Sequence, residues 1–293
     1  MIPQELPDFP HLRGEPGVEE WIAALPALLT ACAKQWQLEV GAPYPGSYAS
    51  VAAPAASRDG TAVVLKIQFP HRECEHEGAA LRAWGGDGAI GLLDEDPGRH
   101  ALLLERCTPG THLVERGIDE ALDVFIDLLP RLWKPVQEPF TSLADEARWW
   151  REDTLPRRWE ATGHPFEAEL FEAALEQLDV LGSSQDEHEQ VLLHQDLHAQ
   201  NVLAAAREPW LAIDPKPLVG ERAFSVAPIV RDFDLGHDKE LVARRLDRLV
   251  GELELERDRA WGWALGQTVA WAFDGEGALG RHLDTARWLL ELR

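Results

Sequence analysis

Basic residues are scarce in this 293-residue chain: 28 Lys and Arg stand against 51 Asp and Glu, a formal net charge of −23. Such a field repels a nucleic-acid backbone or an anionic membrane surface, so neither is expected as a partner, whereas a small cationic molecule is drawn in. Cysteine is nearly absent too. Cys32, Cys74 and Cys107 form no CxxC pair, which excludes a zinc ribbon or disulfide framework and fits a reducing compartment. No apolar run approaches the roughly 18 residues a membrane helix needs. The residues from Met1 to Glu5 carry neither a basic segment nor an apolar one. A soluble, cytoplasmic protein is expected. Nothing in the sequence names an oligomeric state.

What the chain does have is core material. Hydrophobic residues make up 45% of it and 12 are Trp, and chains near this length bury roughly 75% of the surface their unfolded form exposes. One large domain or two coupled lobes is the expectation.

Periodicity divides the chain unevenly. Residues 18–37 place Trp21, Ala24, Leu25, Leu28, Leu29 and Cys32 at helical spacing, with Pro26 predicting a kink or break. Residues 51–59 form a short stretch rich in Ala, Pro and Ser. After an Asp59-Gly60 turn, residues 61–69 alternate as a strand, with Val63, Leu65, Ile67 and Phe69 on one face and Val64, Lys66 and Gln68 on the other. Residues 72–84 read as a helix that turns Glu77 inward. A second strand, Ala101-Leu-Leu-Leu-Glu105, ends this strand-rich part, and from Ile118 onward helical patterns dominate. The fold class is α+β. A small β-rich N-terminal lobe (1–103) is expected, followed by a larger helical C-terminal lobe (104–293).

The densest chemistry lies in Val191-Leu-Leu-His-Gln-Asp-Leu-His-Ala-Gln-Asn-Val-Leu203 and Pro209-Trp-Leu-Ala-Ile-Asp-Pro-Lys-Pro217. Residues 202–205 and 210–213 read as a hairpin, whose geometry sets Asn201 and Asp214 side by side as hard oxygen ligands suited to Mg²⁺. Asp196, on the loop before them, can face a hydroxyl. Phosphoryl transfer asks for such a set: a carboxylate for the hydroxyl proton, metal ligands, and a Lys on the phosphates. Lys66 supplies the last, with Glu77 as its ion-pair partner. His194 and His198 flank Asp196, but no other His or Cys lies at short ligand spacing. They read as loop-orienting hydrogen bonders rather than a transition-metal site.

His194-Gln-Asp-Leu-His-Ala-Gln-Asn201 resembles the H-G-D-L-H-x-x-N catalytic loop of the aminoglycoside phosphotransferase and choline kinase superfamily. Ile213-Asp-Pro-Lys-Pro-Leu-Val-Gly220 resembles the branch with streptomycin 6-kinases and aminoglycoside/hydroxyurea resistance kinases, and the likeness extends over roughly residues 46–231. The resemblance implies a two-lobe, protein-kinase-like fold with ATP and Mg²⁺ between the lobes. Leu104, Glu105 and Arg106 would read the adenine, Val64 would cover it, and the Gly46-Ser-Tyr-Ala-Ser50 turn, ending on Ser50, would lie near the phosphates. That turn lacks the repeated glycines of a G-x-G-x-x-G loop. Gln195 stands where the family usually has Gly, and Ser225 where it usually has an Asp that anchors the catalytic loop or nearby helices.

For the acceptor, residues 261–276 read as a helix on which Gln267, Trp271 and Asp274 share a face. Asp274, with Asp232 and Asp234, is the candidate set for a guanidinium or ammonium group. The expected function is an ATP-dependent kinase acting on a hydroxyl of a small molecule, an aminoglycoside such as streptomycin or a related cationic metabolite. A nucleotide-binding pseudokinase, suggested by Gln195 and Ser225, is the competing reading.

Overall fold

The computed structural model describes residues 7, 9, 12, 15–46, 48–136, 138–185, 189–273 and 277–293. It divides into two compact units, Met1–Gly110 and Thr111–Arg293. The division follows Gly110 rather than residue 103, because the strand that ends at Glu105 stays hydrogen-bonded within the first unit's sheet.

The first unit runs α1 (Val18–Gln35), β1 (Glu39–Val40), β2 (Ser50–Ala56), β3 (Ala62–Gln68), α2 (Glu77–Trp84), β4 (Leu92–Asp96) and β5 (Ala101–Glu105). Its strands form one antiparallel sheet in the order β1-β2-β3-β5-β4. The alternation of β3 puts Val63, Leu65, Ile67 and Phe69 into a core with Trp21, Leu25, Leu29 and Cys32 of α1, each full burial being favourable by about 1.5–3 kcal/mol. Trp21 packs edge-on against Phe69, ring centroids 5.5 Å apart. α1 is continuous through Pro26, which gives up one main-chain hydrogen bond; burial of the helix's apolar stripe outweighs that loss.

One unassigned stretch gains an element and one local expectation is revised. Residues 50–56, overlapping the Ala/Pro/Ser stretch at 51–59, are strand β2, with Val51, Ala53 and Ala55 buried on the core side. Ala and Pro are poor strand formers, so the pairing with β3 and not propensity makes this strand. The helix expected from residue 72 starts at Glu77, because successive turns, Cys74 N–H to His71 O and Glu77 N–H to Cys74 O, occupy the residues before it. Both edges of the sheet are blunt: β1 is two residues long, and β4 carries Asp94, Glu95 and Asp96.

The second unit contains α3 (Ile118–Leu132), β6 (Thr141–Ser142), α4 (Leu143–Trp149), α5 (Leu155–Ala161), α6 (Ala168–Ser183), β7 (Val191–Leu193), β8 (Val202–Ala204), β9 (Trp210–Ala212), β10 (Leu218–Gly220), α7 (Ala227–Arg231), α8 (Lys239–Glu252), α9 (Arg257–Ala270) and α10 (Gly280–Glu291). α9 is buried continuously from Ala260 to Ala270, which makes it the central helix of the unit. It ends at Ala270 instead of continuing to 276, with Trp271 as its cap residue. Strands β6, β10 and β7 form a small sheet and β8 pairs with β9. The carboxylate of Glu221, which follows β10, receives Arg259 Nε, Trp263 Nε1 and Gln185 Nε2, each at 2.6 Å. These charge-assisted bonds tie that strand end to α9 and to the end of α6. Among the described residues no helix is long and apolar enough to cross a membrane.

Candidate active site

In the first unit, the polar face of β3 meets α2. Lys66 Nζ and Gln68 Nε2 both donate to Glu77 Oε2, each at 2.6 Å. Lys66 is 5% exposed and Glu77 1%, so both charges of the pair are desolvated. Val64, also on that face, pairs across the sheet with Leu104. The Glu105 carboxylate accepts from Gly91 N–H at 2.8 Å, Arg106 is exposed and Ser50 opens β2 opposite Gln68.

In the second unit, the chain leaves β7 into His194, Gln195 and Asp196. His194 is buried, and its Nε2 is 2.9 Å from the carbonyl oxygen of Ile213. Burial pushes its pKa down to about 4, so it is neutral at physiological pH and donates to that carbonyl. The His194 carbonyl accepts from Asp196 N–H and Lys216 N–H. One histidine thus links the catalytic loop to the segment after β9. Gln195 adopts the left-handed conformation, φ +64°, that a glycine takes without cost. The exchange of Gly for Gln leaves the loop in that left-handed shape.

The hairpin register pairs Val202 with Ala212. Asn201 therefore faces Ile213, whose N–H donates to its carbonyl at 2.9 Å, and Asp214 lies one residue further, at φ +56°. The Asn201 side-chain Nδ2 donates to the Asp196 carbonyl at 2.9 Å. Pinning the nitrogen end leaves the Oδ1 end of the amide as the one that could hold a cation. Asn201 Oδ1 and the Asp214 carboxylate are hard oxygen donors of the kind that could hold Mg²⁺. Among the described residues no group of three or more His, Cys, Asp or Glu side chains forms a metal cluster.

Basic side chains lie beside Asp196. Lys216 Nζ is 3.1 Å from Oδ2 and His198 Nε2 is 3.9 Å from Oδ1. Burial pushes the Asp196 carboxyl up, but Lys216, then His198 and Arg231, more than offset it and hold the group below the usual carboxylate range. It is ionised at neutral pH. Lys216 and Arg231 both lie on the Trp271 ring, at 4.8 and 4.7 Å from its centroid. Arg231 also donates to Gln267 Oε1 at 3.1 Å, and Gln267 Nε2 donates to the Gln195 carbonyl at 3.0 Å.

The acceptor candidates are placed differently from one another. Asp232 is buried and takes backbone amides on both oxygens, Ala199 N–H at 2.7 Å and Asp234 N–H at 3.0 Å. This residue anchors the catalytic loop. Ser225 instead receives Trp133 Nε1 at 2.9 Å. Asp234 is exposed beside Gln200, Trp271 carries the two cations, and Asp274 lies outside the described residues. Sequence reasoning missed Lys216 and Arg231: a Lys between two prolines reads as a loop charge, and only folding brings it to Asp196.

Comparison with known proteins fixes what kind of molecule has this arrangement. The fold matches a thermostable mutant of aminoglycoside phosphotransferase APH(4)-Ia, solved as a ternary complex with AMP-PNP and hygromycin B, at TM-score 0.57 and 15% identity over 94% of this chain and 96% of that one. The class is a small-molecule kinase of protein-kinase-like fold. Residues 35–275 match the aminoglycoside/hydroxyurea antibiotic resistance kinase family, to which the chain belongs. It is 37% identical to the streptomycin 6-kinase of Streptomyces griseus, over 87% of this chain and 84% of the relative. It is also 37% identical to the hydroxyurea phosphotransferase of Kitasatospora aureofaciens, over 95% of this chain and 82% of the relative.

Proposed function

We propose that this kinase transfers the γ-phosphoryl group of ATP, with Mg²⁺, to a hydroxyl of a small, water-soluble acceptor in the cytoplasm, and that streptomycin-type aminocyclitols and hydroxyurea are the first acceptors to test. The observation that carries this reading is Asp196: a largely buried carboxylate, kept ionised by its cationic neighbours, on a loop that also fixes Asn201 and Asp214. The acceptor hydroxyl hydrogen-bonds to Asp196, which orients it and accepts its proton as the oxygen attacks phosphorus. Asn201 and Asp214 would hold the divalent ion, which would neutralise phosphate charge. Lys66, fixed by Glu77, grips the phosphates; Val64 and the 104–106 backbone serve the adenine, with Ser50 near the phosphates. Most of the acceleration then comes from positioning and electrostatics.

Asp196→Asn tests this. It keeps the size of the side chain but removes the proton acceptor. Acceptor-dependent ADP release is expected to fall by about 10³-fold or more, with MgATP affinity within a few-fold of wild type by calorimetry. Turnover that survives the substitution removes Asp196 from its role. Both relatives supply acceptors for the screen, and the 37% identity to each leaves the choice to experiment.

A further inference from the structure

Gln267 lies on α9 with no exposed surface, and a buried carboxamide must find partners for its donor and acceptor ends. Its Oε1 accepts from Arg231 at 3.1 Å, and its Nε2 donates to the Gln195 carbonyl at 3.0 Å. A guanidinium only donates, so Arg231 fixes the amide with its nitrogen toward Gln195. Arg231 is itself held, buried and lying over the Trp271 ring. The carbonyl that receives Nε2 belongs to the peptide joining Gln195 to Asp196. The N–H of that same peptide donates to the His194 carbonyl at 2.8 Å. An N–H bonded two residues back around a centre at φ +64° is a γ-turn of the rare, strained kind, and such a turn persists where its surroundings hold it. Here a side chain from the unit's central helix does the holding.

We propose that Gln267 is a positioning residue for phosphoryl transfer, which aims the Asp196 carboxylate at the acceptor hydroxyl by holding the peptide between Gln195 and Asp196. This inference rests on the proposed role of Asp196. A peptide is planar, so bonds to its oxygen and to its hydrogen together set the plane from which the Asp196 side chain departs. With the carbonyl released, one strained turn alone holds that plane, and it relaxes toward ordinary backbone. A carboxylate displaced by about 1 Å costs on the order of 100-fold in rate. Gln267 forms no bond to either substrate; it acts through the Gln195 carbonyl. The hydroxyl proton still passes to Asp196 as the acceptor oxygen bonds to the γ-phosphorus, and the electron pair of the broken bridging bond leaves with ADP.

Gln267→Glu and Gln267→Met separate this role from core filling. Both keep the length of the side chain. An ionised carboxylate accepts from Arg231 but cannot donate to the carbonyl, and a thioether does neither well. ADP release is measured with streptomycin and with hydroxyurea, per MgADP-binding site counted by calorimetry, so that unfolded protein does not enter the rate. The kcat is expected to fall by about 10- to 100-fold in both variants, with ATP KM within about 3-fold of wild type. In an Asp196→Asn background, Gln267→Met is expected to cost less than about 3-fold more, because residues acting through one group do not add. Near-normal turnover in Gln267→Glu confines Gln267 to pairing with Arg231 and overturns the proposal. So does an unchanged kcat in both variants, or an equal loss with and without the Asp196 carboxylate. Full turnover in Asp196→Asn alone, or a wild type that phosphorylates neither compound, overturns the reading on which the inference rests, a result distinct from these.

Discussion

A buried ammonium needs its charge and its donors answered, and at Lys66 a single carboxylate oxygen on Glu77 answers both it and Gln68. Removing that carboxylate as Glu77→Ala takes a hydrogen-bonded counter-charge away from the buried cation in the β3–α2 packing. Unfolding free energy is expected to drop by about 3–5 kcal/mol, read by urea titration. A loss below about 1 kcal/mol would show that Lys66 swings to water instead. Lys66 and Glu77 were legible in the sequence because strand and helix periods each specify a face. Gln68 shared the face and still went without a role, since period gives direction and not partner. Asp232 misled for a related reason. An acid after the hairpin looks like a ligand for a cation until folding shows Ala199 N–H aimed at it.

Among the elements, those read well were the ones whose neighbours agree with local preference. The limits of β5 were legible to the residue, and β3 and the β8–β9 hairpin nearly so, because their alternation and turns all point the same way. β2 was not, since its Ala and Pro content hides a strand made by pairing. Close approach is another property no local pattern shows. At the end of β10, Gly220 lies so near Leu143 that an added Cβ would meet Leu143 Cγ at 3.1 Å and Cδ2 at 2.7 Å, with the Leu143 Cβ nearer still. Leu143 is fully buried at the start of α4 and has no room to yield. Gly220→Ala is expected to destabilise the protein by about 2 kcal/mol, lowering Tm by roughly 5 °C. An unchanged Tm in a thermal-shift scan would mean that α4 moves aside freely.

Over the whole molecule, acid sensitivity follows from histidines kept neutral by packing. His194 titrates at about 4 in the folded protein. His282, depressed by burial and by Arg231, His237 and Arg281, titrates at about 3. Both lie below the unfolded value of about 6.5, so the unfolded chain binds the proton more readily. Their stabilising effect is complete above about pH 6.5 and is lost as pH falls toward the folded values. For His194 alone the total is about 3 kcal/mol. The Asp196 carboxyl, held below its usual range, adds a loss only at still lower pH. Tm is therefore expected to fall between pH 7 and pH 5, before most carboxylates titrate, and less steeply in His282→Gln. A flat profile would mean that the folded protein protonates these histidines as easily as the unfolded one.

The blunt edges of the first unit's sheet bear on the chain's behaviour while it is being made. A nascent or partly unfolded β-sheet invites other chains to continue it, and the invitation is strongest from a long, flat, uncharged outer strand. Here one border offers two residues and the other a row of carboxylates that repels its own copy. The sheet is thus guarded against templating fibrils during synthesis, even before the helical unit that follows it has emerged.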